Sequence, residues 1–313
     1  METILITGGA GFIGSNIVRK CVELNYNVVV LDNLLTGNKE NIKEFLSSIK
    51  FIEGDIRNEN DLISALKNVD YILHQAAIPS VPRSIKEPLV NNEINITGFL
   101  KLLEAAKEKK IKKIVYASSS SVYGANPVLP KQEDLKVEPL SPYAVAKITN
   151  EYYAKIYSRI HNLPTIGLRY FNVFGPNQNP KSEYSAVIPK FIYRIINNLP
   201  LEVYGDGEQT RDFTFVENVV SANLLALKSE DGIGDVFNIG CGDRISLNYL
   251  IENLKKIFSD KKIEVKYLEP RAGDVKHSSA DISKAEKILG FKTIINFAEG
   301  LKITVDYFLK KVF

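Results

Sequence analysis

Residues 3–14 read Thr3-Ile4-Leu5-Ile6-Thr7-Gly8-Gly9-Ala10-Gly11-Phe12-Ile13-Gly14, a β-branched run that breaks into glycines at 8, 11 and 14 just before an amphipathic stretch. Glycines at this spacing between a strand and a helix have separate uses: a tight turn, close backbone approach to a pyrophosphate, and close helix–strand packing. The anion would rest on the helix N-terminus, where unpaired amides and the helix dipole favour negative charge. A ligand-free turn has the same letters, so the residues downstream decide. A second apolar run, 27–31, is closed by Asp32, at the spacing of a carboxylate that binds ribose hydroxyls. An acid there repels a 2′-phosphate, which favours NAD over NADP; alone, Asp32-Asn33 would read only as a turn.

Working outward, further apolar runs occupy 50–53, 69–73, 112–118 and 164–169, separated by helix-like stretches at 13–24, 59–67, 92–109 and 142–160. Near-continuous apolar runs suit strands buried on both faces, and their alternation with helices indicates a doubly wound parallel α/β sheet. After residue 172 prolines punctuate the chain and the elements shorten. We therefore expect a dinucleotide-binding domain over 1–171 and a smaller α/β substrate lobe over 172–313, interleaved rather than joined by a clear linker.

Bulk composition excludes several classes. Forty basic against 37 acidic residues give a balance of +3, too small and too dispersed for a nucleic-acid footprint. The run Lys107, Lys109, Lys110, Lys112, Lys113 falls at a helix-to-strand junction, where cations complement the helix dipole. Cys21 and Cys241 are far apart and lack a CxxC partner, so neither a disulfide framework nor a zinc site is expected. His74, His161 and His277 have no ligand-spaced partners, so no metal is expected. No apolar stretch approaches the roughly 20 residues of a membrane span, and the chain opens directly on a strand. A cytoplasmic location is the expectation.

Two later segments carry chemistry. Ser141-Pro142-Tyr143-Ala144-Val145-Ala146-Lys147 opens a helix, with Ser141 as N-cap and Pro142 at the first helical position. Tyr143 and Lys147 are then i and i+4, on one face. A phenol with an ordinary pKa of about 10 is a poor base at neutral pH, and a neighbouring ammonium together with a positive nicotinamide would lower it. Upstream, Ala117-Ser118-Ser119-Ser120-Ser121-Val122-Tyr123-Gly124 puts hydroxyls at the carboxyl end of the fifth strand, where open α/β sheets hold ligands.

Together the glycine turn, Asp32, the SSSSVYG segment and SPYAVAK resemble the extended short-chain dehydrogenase/reductases acting on nucleotide sugars, in particular the nucleotide-sugar 4-epimerases. The resemblance implies a Rossmann domain, NAD as cofactor, and a catalytic trio of Ser119, Tyr143 and Lys147. It also implies cofactor contacts at Gly8, Gly11, Phe12, Ile13, Gly14, Asp32, Asn33, Asp55, Ile56, Gln75, Ala76, Asn95, Tyr143, Lys147 and Tyr170, and a homodimer through helices near 92–109 and 142–160. Related 4,6-dehydratases carry Thr-Asp-Glu where this chain has Ser119-Ser120-Ser121, and serines do not replace that acid and base.

For the substrate, the resemblance implies contacts at Ser80, Ser120, Ser121 and Val187, with Asn172 and Arg271 at the diphosphate, Tyr204 on uracil, Arg211 at the nucleotide, Asp274 on ribose and Ser278 beside the hexose. Paired arginines suit a diphosphate because guanidinium binds its oxygens bidentately. Strict UDP-glucose epimerases resemble this segment but carry tyrosine at the Ser278 position; serine leaves room for an N-acetyl group. The expected reaction is interconversion of UDP-N-acetylglucosamine and UDP-N-acetylgalactosamine through a 4-keto sugar. The alternatives are a UDP-glucose or UDP-uronate 4-epimerase, and a non-catalytic NAD-binding regulator.

Overall fold

The structure, a computed structural model, describes residues 1–180, 186–270 and 276–312. Seven strands form the central sheet: β1 (Thr3–Thr7), β2 (Asn27–Asp32), β3 (Ile49–Glu53), β4 (Tyr71–His74), β5 (Lys113–Ser119), β6 (Thr165–Tyr170) and β7 (Asp235–Ile239). All neighbours are parallel, in the order β7-β6-β5-β4-β1-β2-β3. The order reverses between β1 and β4, so the crevice at the carboxyl ends of these strands is the place a ligand enters. Thr7, Asp32, His74, Ser119 and Tyr170 each close a strand at that edge.

Helices cover both faces, as a parallel sheet requires. On one face Ile17, Val18 and Cys21 of the helix Phe12–Glu23 share a core with Val219 and Val220 of the helix Val216–Lys228. On the other, the helices Glu59–Ala65, Gly98–Glu108 and Pro142–Ile160 pack through Leu62, Phe99, Leu102 and Ala154. The lysine run resolves into two local tasks. Lys112 pairs with Asp70 at 2.9 Å, and buried Lys113 donates to the carbonyls of Leu227 and Ser229, closing the end of the helix Val216–Lys228.

The helix Pro142–Ile160 has the expected bounds and cap: Ser141 accepts from the Ala144 amide at 3.2 Å. The stretch 92–109 is more broken than its periodicity predicts. It runs as a helix Pro88–Asn92, a π-turn Glu93–Thr97 and a helix Gly98–Glu108. The π-turn coincides with Asn95, whose side chain is engaged by backbone outside the helix, and π-turns of this kind recur at functional sites.

Beyond β6 a second core forms from the helices Val187–Ile196, Leu247–Ile257 and Phe297–Val312 and the parallel pair Leu201–Tyr204 with Val265–Leu268. The chain crosses back between the two cores. Residues 216–239 return to supply a helix and β7 to the first sheet, so position 171 marks only where the chain first leaves it. Asp212 stitches the crossing: its buried carboxylate accepts from the amides of Cys241, Gly242 and Ala280 at 2.8–3.0 Å. Among the described residues, no helix is long and apolar enough to cross a membrane.

Candidate active site

The glycine turn divides its labour as the spacing predicts. Gly8 has φ +69°, and a Cβ there would lie 2.7 Å from the Ala76 backbone; one on Gly14 would lie 2.1 Å from the Gly8 carbonyl. Both positions are closed to any side chain by the fold itself. Gly11 differs: its φ of −76° suits any residue, and its Cβ would meet only the Gly8 carbonyl, at 3.1 Å. It is the N-cap of the helix Phe12–Glu23 and supplies no side-chain cap, leaving the first-turn amides from Phe12, Ile13 and Gly14 directed outward. Such a cradle fits a pyrophosphate.

Asp32 is fixed beside it. Its two oxygens accept from the Ala10 amide at 2.9 Å and the Leu34 amide at 2.8 Å. Burial pushes its pKa up while those amides pull it back. Next to it, Asn33 donates to Asp55 at 2.8 Å. Asp55 is gripped by Arg57, which holds its carboxyl down to about 2, and Ile56 is buried beneath Gly98. Asp32, Asn33 and Asp55 thus line the carboxyl-end edge of β2 and β3.

Toward the sheet centre, Gln75, Tyr170 and Asn223 form a closed ring: Tyr170 Oη donates to Gln75 Oε1 at 3.2 Å, Gln75 Nε2 to Asn223 Oδ1 at 3.1 Å, and Asn223 Nδ2 to Tyr170 Oη at 2.8 Å. The Ala76 backbone closes over Gly8. His74, fully buried and bonded to Thr7 Oγ1 at 2.7 Å, is held neutral, its pKa pushed down to about 3. Asn95 is consumed by structure: it accepts from the Ile78 amide at 2.9 Å and donates to the Ile78 carbonyl and to Asn91 Oδ1. These bonds hold the loop after β4. Ser80 likewise caps the short helix Val81–Lys86, and Ser84 of that helix accepts from the Tyr143 amide at 3.1 Å.

The trio converges at the carboxyl ends of β5 and β6, where Ser119 lies opposite Tyr170 in register. Ser119 caps the turn Ser120–Tyr123 by accepting from the Ser121 amide at 3.2 Å. Tyr143 is buried at 9% exposure and Lys147 at 2%, its Nζ 5.7 Å from the tyrosine ring centre. The lowered phenol is expected from two cations together, the Lys147 ammonium and a nicotinamide. Burial pushes the Tyr143 phenol up to about 12, with only the Ser119 hydroxyl pulling it down. The reason is geometric: the Lys147 ammonium is turned toward the Ala117 carbonyl, 2.8 Å away, and is itself pushed down to about 8 by burial. A second positive charge at the ring, as a nicotinamide would bring, would pull the phenol back down. Ser121 contributes a different clue, a buried hydroxyl with no partner, and such groups in a native protein call for one.

On the lobe side, Asn172 leaves β6 exposed with φ +25°, and its carbonyl accepts from Thr214. Val187 opens the helix Val187–Ile196, and Tyr204 ends its strand half-buried. Arg211 and Ser278 are brought together across one bridge: Thr210 exchanges backbone hydrogen bonds with Lys276 and Ser278, at 3.0 and 3.1 Å. The expected contacts at Arg271 and Asp274 lie outside the described residues. Among the described residues no group of histidines, cysteines and acids is arranged to hold a metal.

Sequence reading passed over the layer behind the trio. Glu151 and Arg169 form a buried two-point ion pair at 2.9 and 2.7 Å, and Ser118 donates to Glu151 at 2.5 Å. A signal was available: an acid one turn beyond Lys147, and an arginine inside an otherwise apolar central strand.

Residues 4–240 match the family described as NAD dependent epimerase/dehydratase. The chain is 42% identical over 306 residues to a protein of Methanocaldococcus jannaschii named a putative UDP-glucose 4-epimerase, covering 97% of both. The crystal structure of UDP-glucose 4-epimerase from Thermotoga maritima with UDP-glucose superposes with TM-score 0.94 at 39% identity, covering 99% of this chain and 100% of that one. A UDP-N-acetylglucosamine 4-epimerase from Methanobrevibacter ruminantium in complex with UDP-N-acetylmuramic acid also gives 0.94, at 42% identity and 99% coverage of both.

Proposed function

The chain belongs to the NAD dependent epimerase/dehydratase family, and we propose that within it this enzyme inverts C4 of a UDP-N-acetylhexosamine. The observation that carries the substrate choice is the small side chain of Ser278, seated by its backbone against the Thr210–Arg211 strand. The position matches the one where strict UDP-glucose epimerases carry a tyrosine, and a serine there leaves room for an acetamido group. The Methanobrevibacter neighbour supports the same reading. UDP-glucose is the second reading, favoured by the two relatives named for it.

NAD fits the residues present: the open amides at Gly11–Gly14 take its pyrophosphate, Asp32 a ribose, and the Gln75–Tyr170 ring with Lys147 lines the inner end. Bound there, NAD supplies a hydride acceptor, and afterwards donor, for the sugar's C4. Tyr143 takes the proton of the 4-hydroxyl and later returns one. Ser119 orients the oxygen, its hydroxyl pulling the phenol down, and Lys147 keeps its Nζ 5.7 Å from the ring. The orphan Ser121 hydroxyl gives the sugar a partner, and also bonds the 4-keto sugar after it has turned its other face. Asn172, Val187, Tyr204 and Arg211 hold the nucleotide diphosphate during that turn.

A second copy of the chain fits the helix Pro142–Ile160, where Val145, Thr149, Tyr152, Ile156 and Ile160 make an outward stripe at helical spacing; the large apolar members are exposed.

The test incubates purified protein, without added NAD, separately with UDP-N-acetylglucosamine, UDP-glucose and UDP-glucuronate, following the C4 proton by NMR. Fastest inversion of the N-acetyl sugar supports the proposal. Inversion of UDP-glucose or the uronate alone overturns the substrate choice, and no inversion with NAD restored overturns the activity.

A further inference from the structure

Lys147 is a buried cation whose ammonium donates to a neutral carbonyl, that of Ala117. Burying an ammonium without an opposite charge drives it toward its neutral form. One helical turn on, at i+4, stands Glu151, whose side chain is 6% exposed. Consecutive residues of β5 hold the two groups: Ala117 accepts from Lys147, and Ser118 donates to Glu151 at 2.5 Å. Opposite Ser118 in register is Arg169, which closes on both carboxylate oxygens. Arg169 is itself tied to Tyr123 Oη at 2.9 Å and to the Glu133 carbonyl, and Tyr123 to Asn238 at 2.7 Å. No member of this chain is free to swing.

A buried Arg–Glu pair is a weak source of stability, since apolar residues of like volume often do as well. Stability alone is therefore a weak reason for its location. We propose that Glu151, fixed by Ser118 and Arg169, is a positioning residue that serves as the counter-charge of the Lys147 ammonium, keeping it charged and turned toward β5 during the reaction. This rests on the reading that Tyr143 and Lys147 carry the chemistry.

Among the described residues packed around Lys147, the other titratable groups are neutral or paired elsewhere. His74 on β4 is held neutral, and Tyr143, Tyr116, Tyr123 and Tyr170 are all pushed up by burial. On the elements packed against the helix Pro142–Ile160, Arg83 pairs with Glu87, Glu93 with Arg57, and Glu104 with Lys107 and Tyr157. Burial lowers the Lys147 pKa, and the Glu151 carboxylate opposes it.

The experiment uses the NAD-containing enzyme with UDP-N-acetylglucosamine and measures kcat from pH 6 to 10. Glu151→Gln keeps the shape and removes the charge, so the alkaline limb moves to lower pH by one unit or more, a loss of roughly fivefold or more at the wild-type midpoint. Glu151→Asp, which keeps the charge, leaves the limb near its wild-type position even where it lowers kcat. If Glu151→Gln does not fold, Glu151→Gln with Arg169→Gln removes the orphaned guanidinium while still leaving Lys147 without its counter-charge, and its limb moves down as well. A limb that stays put in the charge-removing variants, with kcat reduced equally at every pH, makes the pair a packing element and overturns the proposal. Tyr143→Phe separates the premise: retained turnover there refutes the assignment of the trio, whatever the Glu151 variants do.

Discussion

Gly11 and Gly14 differ only in what stands in front of them, and that difference is measurable. A methyl on Gly14 meets the Gly8 carbonyl at 2.1 Å and the Gly9 Cα at 2.8 Å, all backbone, so nothing can rotate aside. Overpacking of this kind costs about 1–3 kcal/mol. At roughly 2 °C per kcal/mol for a chain of this size, Gly14→Ala should lower Tm by roughly 2–6 °C, and the turn it distorts should lose NAD as well. Gly11→Ala meets one carbonyl at 3.1 Å in a backbone conformation open to alanine. Its poorer capping and its stiffer unfolded chain oppose each other, each by under about 1 kcal/mol. The apoprotein Tm should hardly move. Should a pyrophosphate approach the turn there, the same ~1–3 kcal/mol falls on the complex alone, roughly a tenfold to hundredfold loss of NAD affinity. The assay is NAD released on denaturing the purified variants, beside a thermal melt of each. Gly11→Ala that retains full NAD and wild-type turnover would refute the placement of the anion.

Other outcomes rest on the same geometry. Ser278→Tyr should cut kcat/KM for UDP-N-acetylglucosamine at least tenfold while sparing UDP-glucose, as read by coupled or NMR assay; equal losses on both would remove Ser278 from the specificity argument. Turnover should fall as pH rises through about 8, where Lys147 gives up its proton, and Lys147→Arg should lose that limb. For stability the sign is opposite: between about 8 and the ordinary 10.5 the unfolded chain binds the extra proton, so this group's destabilising share fades as pH rises. Asp212→Ala leaves the buried amides of Cys241, Gly242 and Ala280 without their acceptor; at ~1 kcal/mol or more each, the melt should fall by roughly 6 °C.

How far the sequence carried can be judged residue by residue. Strand positions, the glycine turn and the Ser141-capped helix were legible because they rest on local period and turn chemistry, and the helix came out at the bounds its cap predicts. The return of residues 216–239 to the first sheet was not, since β7 pairs with β6 across some seventy residues and no local pattern encodes that distance. Tyr143 stands buried on the helix face its spacing predicts, and in the protein alone burial pushes its phenol up to about 12. Spacing put Lys147 on the same face, while the Ala117 carbonyl that turns the ammonium away belongs to another element. Asn95 holds the Ile78 backbone, a contact its local pattern does not encode because Ile78 lies in a loop. Glu151 and Arg169 were passed over for the same reason: a charged residue on a helix reads as solvated until the strand that buries it is in place.

The most direct test of the central claim runs the conversion of UDP-N-acetylglucosamine in D2O with the purified protein and examines C4 of the UDP-N-acetylgalactosamine formed. A hydrogen that leaves and returns as hydride within the closed site never meets solvent, so the product should carry protium at C4. Deuterium at C4 would mean inversion by proton exchange and would contradict the account.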